Sequence, residues 1–405
     1  MKYDFETVID RKGKDAMAFD AIGSSQGRTL KPTLPKNGLS VIPMWIADMN
    51  FATVPAVVER MIKRAQHPIY GYFYTSDEYY DVIIQWHKNR YGIQDLSKNN
   101  TGYENGVLGC LSTVINALTL PGDHILLYSP AYVGFSNVIY DTGRIAALSP
   151  LVKDENDIWR MDFKDMERQI KENNIHLAIF CSPHNPCGRV WQRWEIEKAL
   201  HIFKENDVFV FLDEIWADLV FDGHQHIPTY SISDDAKSRT ISVYAPSKTF
   251  NMAGLIGSYH VICNKYLNDK ITKMSAMTHY NTMNILSMHA LIGAYSQEGM
   301  QWVNELNSVL YQNVKYVYEF IKNHYQCIEV SMPQGTYMIF LHCEKYCQTH
   351  QISLDDLIQK GWDVGVAWQN GRQFYDPWGI RINCALPFSL VKEAMSRLKK
   401  YVFIV

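Results

Sequence analysis

From about residue 100 to 265 the chain alternates short, continuous apolar runs with amphipathic stretches. The runs are Ile125–Tyr128, Leu177–Cys181, Val208–Leu212, Ile241–Tyr244 and Tyr259–Ile262, and the stretches between them, such as Trp194–Phe203, carry helical spacing. Each run is too short for a helix, and a strand that is apolar at every position is one covered on both faces. The pattern therefore predicts a parallel α/β sheet packed between helices. The tail reads differently. Long helical stretches run from about 282 to 325, followed by GTYMIFLH (Gly335 to His342) and a closing amphipathic segment, Leu390 to Tyr401. Strands here alternate more, as in a smaller sheet with one open face, so a second domain is expected, completed by the N-terminal 45 residues.

Composition sharpens this picture by exclusion. With 405 residues, 47% of them hydrophobic and 20% charged, the chain can bury one large core or two. The net charge is -3 and no basic cluster is long enough to follow a phosphate backbone, so nucleic acid is not an expected partner. No apolar run reaches the length of a membrane span, and the start, MKYDFETVIDRKGKDAMAFD, is mixed and acidic without an apolar signal region. No membrane association and a cytoplasmic location are the expectations. Eight cysteines are scattered, with one four-residue step from Cys343 to Cys347 and no paired CxxC sets, a pattern that predicts reduced thiols and no metal.

In open α/β sheets ligands gather beyond the carboxyl ends of the strands. Four of the predicted strands run there into polar clusters: SPAY (Ser129 to Tyr132), SPHNPCG (Ser182 to Gly188), DEIW (Asp213 to Trp216) and APSKTFN (Ala245 to Asn251). Lys248, set among Pro246, Ser247, Thr249 and Asn251, is placed to lose water at a cleft, which lowers an amine's pKa and makes it a nucleophile for a Schiff base. Taken alone it reads by default as a surface lysine in a loop. Its neighbours match what a pyridoxal 5'-phosphate site needs: a carboxylate for the ring nitrogen, a donor for the phenolic oxygen, a stacking ring and donors for phosphate. Asp213, ending an apolar strand, suits the first need, against an N-cap role. Asn185 suits the second, against a plain turn asparagine. Tyr132 suits the third, although this chain has 25 tyrosines to place, most of them in cores. NGVLGCLSTVINAL (Asn105 to Leu118) reads as a glycine-bearing turn opening a helix whose free amides bind anions, and Ser247 adds a hydroxyl. Arg381, in GIRIN, is a lone arginine suited to clamp a substrate carboxylate, with a structural ion pair as the competing reading. No GxGxxG follows any strand, so a nicotinamide enzyme is not expected.

The order and wording of these motifs resemble the aminotransferase-like enzymes of PLP fold type I, in particular the carbon-sulfur β-lyase subgroup. The resemblance runs through MWIADMNFATVP (Met44 to Pro55), YGY (Tyr70 to Tyr72), SPAY, CSPHNPCGRVW (Cys181 to Trp191), DEIWADLVF (Asp213 to Phe221), APSKTFNMAGL (Ala245 to Leu255), GTY and RIN. It implies an α/β fold: a large PLP-binding domain, 48–288, with a mainly parallel seven-stranded sheet, and a smaller α+β domain of 1–47 and 289–405. It implies pyridoxal 5'-phosphate bound covalently by Lys248, with Asp213, Asn185, Tyr132, Trp216, Ser247 and the amides of Val107 and Leu108 around it. Arg381, Ala47 and Asn185 would contact the amino-acid substrate. It further implies a homodimer with shared active sites, in which Tyr72 crosses to the partner's cofactor phosphate and takes part in catalysis.

The implied reaction is β-cleavage of cystathionine, cysteine or related S-substituted cysteines to pyruvate, ammonia and a thiol or hydrogen sulfide. An aminotransferase shares every step up to proton removal, so the PLP motifs leave it open; a regulatory protein that keeps the fold is the third reading. Three positions depart from the family pattern. Trp216 stands where histidine or tyrosine is expected, Asn50 replaces an aspartate, and His342 replaces an acidic residue after GTY.

Overall fold

The computed structural model describes residues 1–25, 30–36 and 38–403. Its main element is an eight-stranded sheet in the spatial order Thr101–Glu104, Ser258–Val261, Thr240–Tyr244, Phe209–Asp213, Leu177–Cys181, His124–Ser129, Ile145–Lys153 and Trp159–Met161. The pairings among the central five strands, from Thr240–Tyr244 to Ile145–Lys153, are parallel. Successive residues of these strands enter opposite cores. Leu126, Ala178, Phe180, Val210 and Leu212 pack on one side, and Leu127, Ile179, Cys181 and Phe211 on the other. Both faces are dry, which is why the runs show no alternation.

Two expectations are corrected. The sheet has eight strands and not seven, because the chain turns back after Ile145–Lys153: the Asp154 carboxylate accepts from the amides of Asn156 and Ile158, and Trp159–Met161 pairs antiparallel at the edge. The run Tyr259–Ile262 is also not parallel. Strand Ser258–Val261 pairs antiparallel with both neighbours, since the 13 residues between Tyr244 and Ser258 hold only the one-turn helix Pro246–Thr249 and a 3-10 turn, too little to cross the sheet and return in the same direction.

A four-stranded antiparallel sheet is built from Glu329–Val330, Met338–His342, Gly379–Asn383 and Gln369–Asn370, and Ile42–Pro43 pairs with Val366–Ala367. The 28-residue helix Gln297–His324 links the two parts, with buried Asn313 donating to the carbonyls of Cys384 and Leu386. Among the described residues no helix is long and apolar enough to cross a membrane, and no group of three or more His, Cys, Asp or Glu is placed to hold a metal.

Candidate active site

All four polar clusters open onto one cavity of about 310 Å³, whose walls include Tyr132, Asn185, Asp213, Trp216, Ser247 and Lys248. Val107, Leu108 and Ala47 line it as well. A second chamber of about 540 Å³ shares Ala47, Tyr132 and Lys248 with the first and adds Arg381. Tyr72 lines neither. It is fully exposed, in a stretch where Tyr70 and Tyr74 are exposed too.

Lys248 rides on the turn Pro246–Thr249, which begins with proline where a helix tolerates it. Thr249 Oγ1 donates to Asp218 at 3.1 Å, and Asn251, at φ 54°, bonds through its side chain to the backbone of Met49 and Phe51 at 2.9–3.0 Å. These bonds lock segment 49–51 against the lysine turn. Lys248 Nζ donates to the Ala47 carbonyl at 2.7 Å, and Tyr337 OH donates to the same oxygen at 3.0 Å. Burial, reinforced by the Arg381 charge, lowers the Lys248 pKa to about 8; Asp48 and Asp213 oppose that shift.

Asp213 is buried at the end of its strand and accepts one bond from the protein, from the Ile215 amide at 3.1 Å. Burial raises its pKa to about 6. At the far wall Gly106, at φ 84°, turns the chain into helix Val107–Leu118. The amides of Val107, Leu108 and Gly109 precede the first intrahelical bond, made by Cys110 N, and so face the cavity as free donors. The Tyr132 ring fits because residue 134 is glycine: a Cβ there would lie 2.4 Å from Tyr132 Cε1. Trp216 is buried edge-on to Tyr337, with ring centroids 4.8 Å apart.

Arg381 is 3% exposed and has no carboxylate partner among the described residues. It donates to Asn185 Oδ1 and the Trp45 carbonyl, each at 3.0 Å, and to Gln369 Oε1; its Nε–H has no acceptor, and Phe374 lies under the guanidinium. Burial lowers its pKa to about 10. A buried cation held only by neutral oxygens, with one donor free, is prepared for an anion.

Of the three departures, Trp216 stands in the cavity wall. Asn50 is buried and accepts from Arg11 at 3.0 Å. His342 lies outside both chambers, with Nδ1 2.9 Å from Asp376, whose carboxylate raises the histidine pKa. Sequence reasoning passed over Gln369, Gly134 and Arg11, none of which belongs to a motif that announces its contact; Tyr337 lies in the GTY motif, but no role was assigned to it.

Residues 40–398 match the family described as aminotransferase class I and II. The chain belongs to that family. It is 29% identical over 398 residues to cystathionine beta-lyase PatB of Bacillus subtilis, covering 98% of each chain. Among solved structures, the PLP-bound C-S lyase from Staphylococcus hominis superposes with a TM-score of 0.89 at 29% identity, covering 100% of this chain and 99% of that one. Cystalysin from Treponema denticola, which contains a pyridoxal 5'-phosphate cofactor, does so with a TM-score of 0.89 at 28% identity, covering 99% and 98%. The family's α/β fold, PLP fold type I, is the fold expected from the sequence.

Proposed function

We propose that the chain is a PLP-dependent carbon-sulfur β-lyase, cleaving cystathionine, cysteine or related S-substituted cysteines to pyruvate, ammonia and a thiol or hydrogen sulfide. The observation that carries this reading is a pair of chambers meeting at a low-pKa amine (Lys248), one lined by a buried carboxylate without a cation in contact (Asp213) and the other by a buried guanidinium without an anion (Arg381). Pyridoxal 5'-phosphate, when bound, supplies a carbonyl that condenses with amines and a ring that withdraws electrons from the α-carbon. The residues fit it: Asp213 would hold the proton on the ring nitrogen, and Asn185, whose Oδ1 is occupied by Arg381, has its Nδ2–H left for the phenolic oxygen. Tyr132 would stack on the ring, Trp216 would close a wall, and the Val107 and Leu108 amides with the Ser247 hydroxyl would take the phosphate.

Arg381 takes the substrate α-carboxylate and orients the α-carbon toward Lys248, beside Ala47. Lys248 Nζ, with its pKa near 8, is the base that removes the α-proton. The electron pair left at the α-carbon forms a double bond to the β-carbon while the carbon-sulfur bonding pair leaves with sulfur as a thiolate, and water then hydrolyses the unsaturated remainder to pyruvate and ammonia. The same reading carries a homodimer, supported by the exposed Tyr70, Tyr72 and Tyr74, with Tyr72 reaching the cavity of a second copy. It also carries a cytoplasmic location and a division into 48–288 and 1–47 with 289–405.

The deciding experiment gives S-substituted cysteines to PLP-loaded protein without any keto acid. Sustained pyruvate and thiol release is expected, and Lys248→Ala should abolish both the release and the absorbance band of the lysine-linked cofactor. Product that stops after one equivalent and resumes with added keto acid would make the protein an aminotransferase.

A further inference from the structure

The larger chamber has two ends. Lys248, Tyr132 and Arg381 form the inner one, where the free Arg381 Nε–H marks the place of a ligand carboxylate. Its outer wall comes from the N-terminal segment and from Asp48. At about 540 Å³ the chamber exceeds what the amino-acid head of a substrate would fill, so a substituent on sulfur extends toward that wall.

The charges of the outer wall do not cancel. Arg11 is committed: Nη2 pairs with Asp48 Oδ2 at 2.5 Å, and Nη1 reaches Asp48 Oδ1 at 3.3 Å and the Met49 carbonyl and Asn50 Oδ1 at 3.0 Å. Asp48 thus balances Arg11. Asp15, in the same wall, has no hydrogen bond or ion pair among the described residues. Its plainest structural use would be to cap the turn it sits in, but Asp20 already does so, accepting from the Gly13 amide at 2.8 Å and the Ala16 amide at 3.1 Å. The backbone holds Asp15 at φ 57°, a conformation that aspartate and asparagine adopt more readily than most residues.

We propose that Asp15 recognises a cationic group on the sulfur substituent, so that the chamber prefers S-substituted cysteines whose far arm ends in an ammonium. This rests on the reading of the inner end as the site for the amino-acid head of a cysteine thioether. A neutral arm of equal length fills the same space without answering the carboxylate. A pair in a partly wet site is worth about a fivefold preference.

The test compares S-(2-aminoethyl)cysteine with S-propylcysteine, which differ at the tip by ammonium against methyl. Each is mixed rapidly with PLP-loaded protein, and the concentration dependence of the initial change in visible absorbance, before product is released, gives Kd. Wild type should bind the aminoethyl compound about fivefold tighter. Asp15→Asn, which keeps the shape and tolerates the backbone angle, should bring the ratio near one by weakening the aminoethyl compound alone. Raising ionic strength should compress the ratio in wild type and leave it flat in the variant. An equal ratio in both proteins, or no preference in wild type, overturns the proposal. Pyruvate release from S-propylcysteine is scored separately and reports on the lyase reading whatever the binding ratio is.

Discussion

Asp213, the last residue of its strand, and Glu214, the next residue, are both buried but have different neighbours. Burial raises both, Asp213 to about 6 and Glu214 to about 7. Their surroundings differ. Glu214 accepts from the Thr229 amide at 2.9 Å, the Thr229 hydroxyl at 3.0 Å and the Tyr244 hydroxyl, deep in a wall of buried aromatic side chains. Asp213 accepts from one amide and otherwise faces a cavity. Equal desolvation with unequal satisfaction separates a carboxylate that belongs to the fold from one whose partner is a ligand.

Exchanging each acid for its amide should break the pair apart. Asp213→Asn is expected to lower kcat/KM for S-substituted cysteines at least about a hundredfold, the scale of a lost acid-base partner, while the cofactor-free protein folds normally. Glu214→Gln should leave kcat/KM within about threefold and lower stability to urea by roughly 1–3 kcal/mol, because an amide cannot accept at both ends. Comparable kinetic losses in the two variants would remove the distinction. The guanidinium across the cavity sharpens the same contrast: Arg381→Lys should raise KM about tenfold or more, as a point charge replaces a planar fork, with little change in unfolding midpoint.

A smaller effect lies in the pH dependence of the cofactor-free protein. Folded Asp213 keeps its proton up to about pH 6, whereas the unfolded chain releases it near the ordinary carboxylate value of 3.8. The folded state therefore binds more protons between those values, and this residue's contribution to stability falls as pH rises through that window, then stays level. Asp213→Asn should become more stable relative to wild type by roughly 2 kcal/mol between pH 4 and 7, read as the difference of two urea denaturation series. The smallest shift is chemical. Lys248 in the cofactor-free protein should react with acylating reagents with a midpoint near pH 8, below that of surface lysines, followed by mass spectrometry of the labelled peptide.

Much of this site was legible because its residues sit at strand ends, and those strands are dry on both faces. Tyr132, Asn185, Asp213 and Lys248 each follow an apolar run that could be read without a structure. The strands that escaped notice lack that signal. Ile145–Lys153 contains Pro150 and is partly exposed, and Thr101–Glu104 is an edge strand of largely polar residues. Glu214 was hidden by adjacency, since nothing in the letters DE says which acid faces the cavity. Gln369 and Arg11 meet the site from distant parts of the chain, so their roles depend on packing between elements that no local pattern encodes. Tyr72 presents the reverse case: its motif is plain, but a single chain leaves it facing solvent.

The Ala47 carbonyl receives two donors, one from Lys248 and one from Tyr337. Were the lysine to leave this carbonyl for a ligand, the tyrosine hydroxyl would still be there. The oxygen would then keep a donor inside the protein, and the lysine could change partners without the surrounding chain having to rearrange or admit water to compensate.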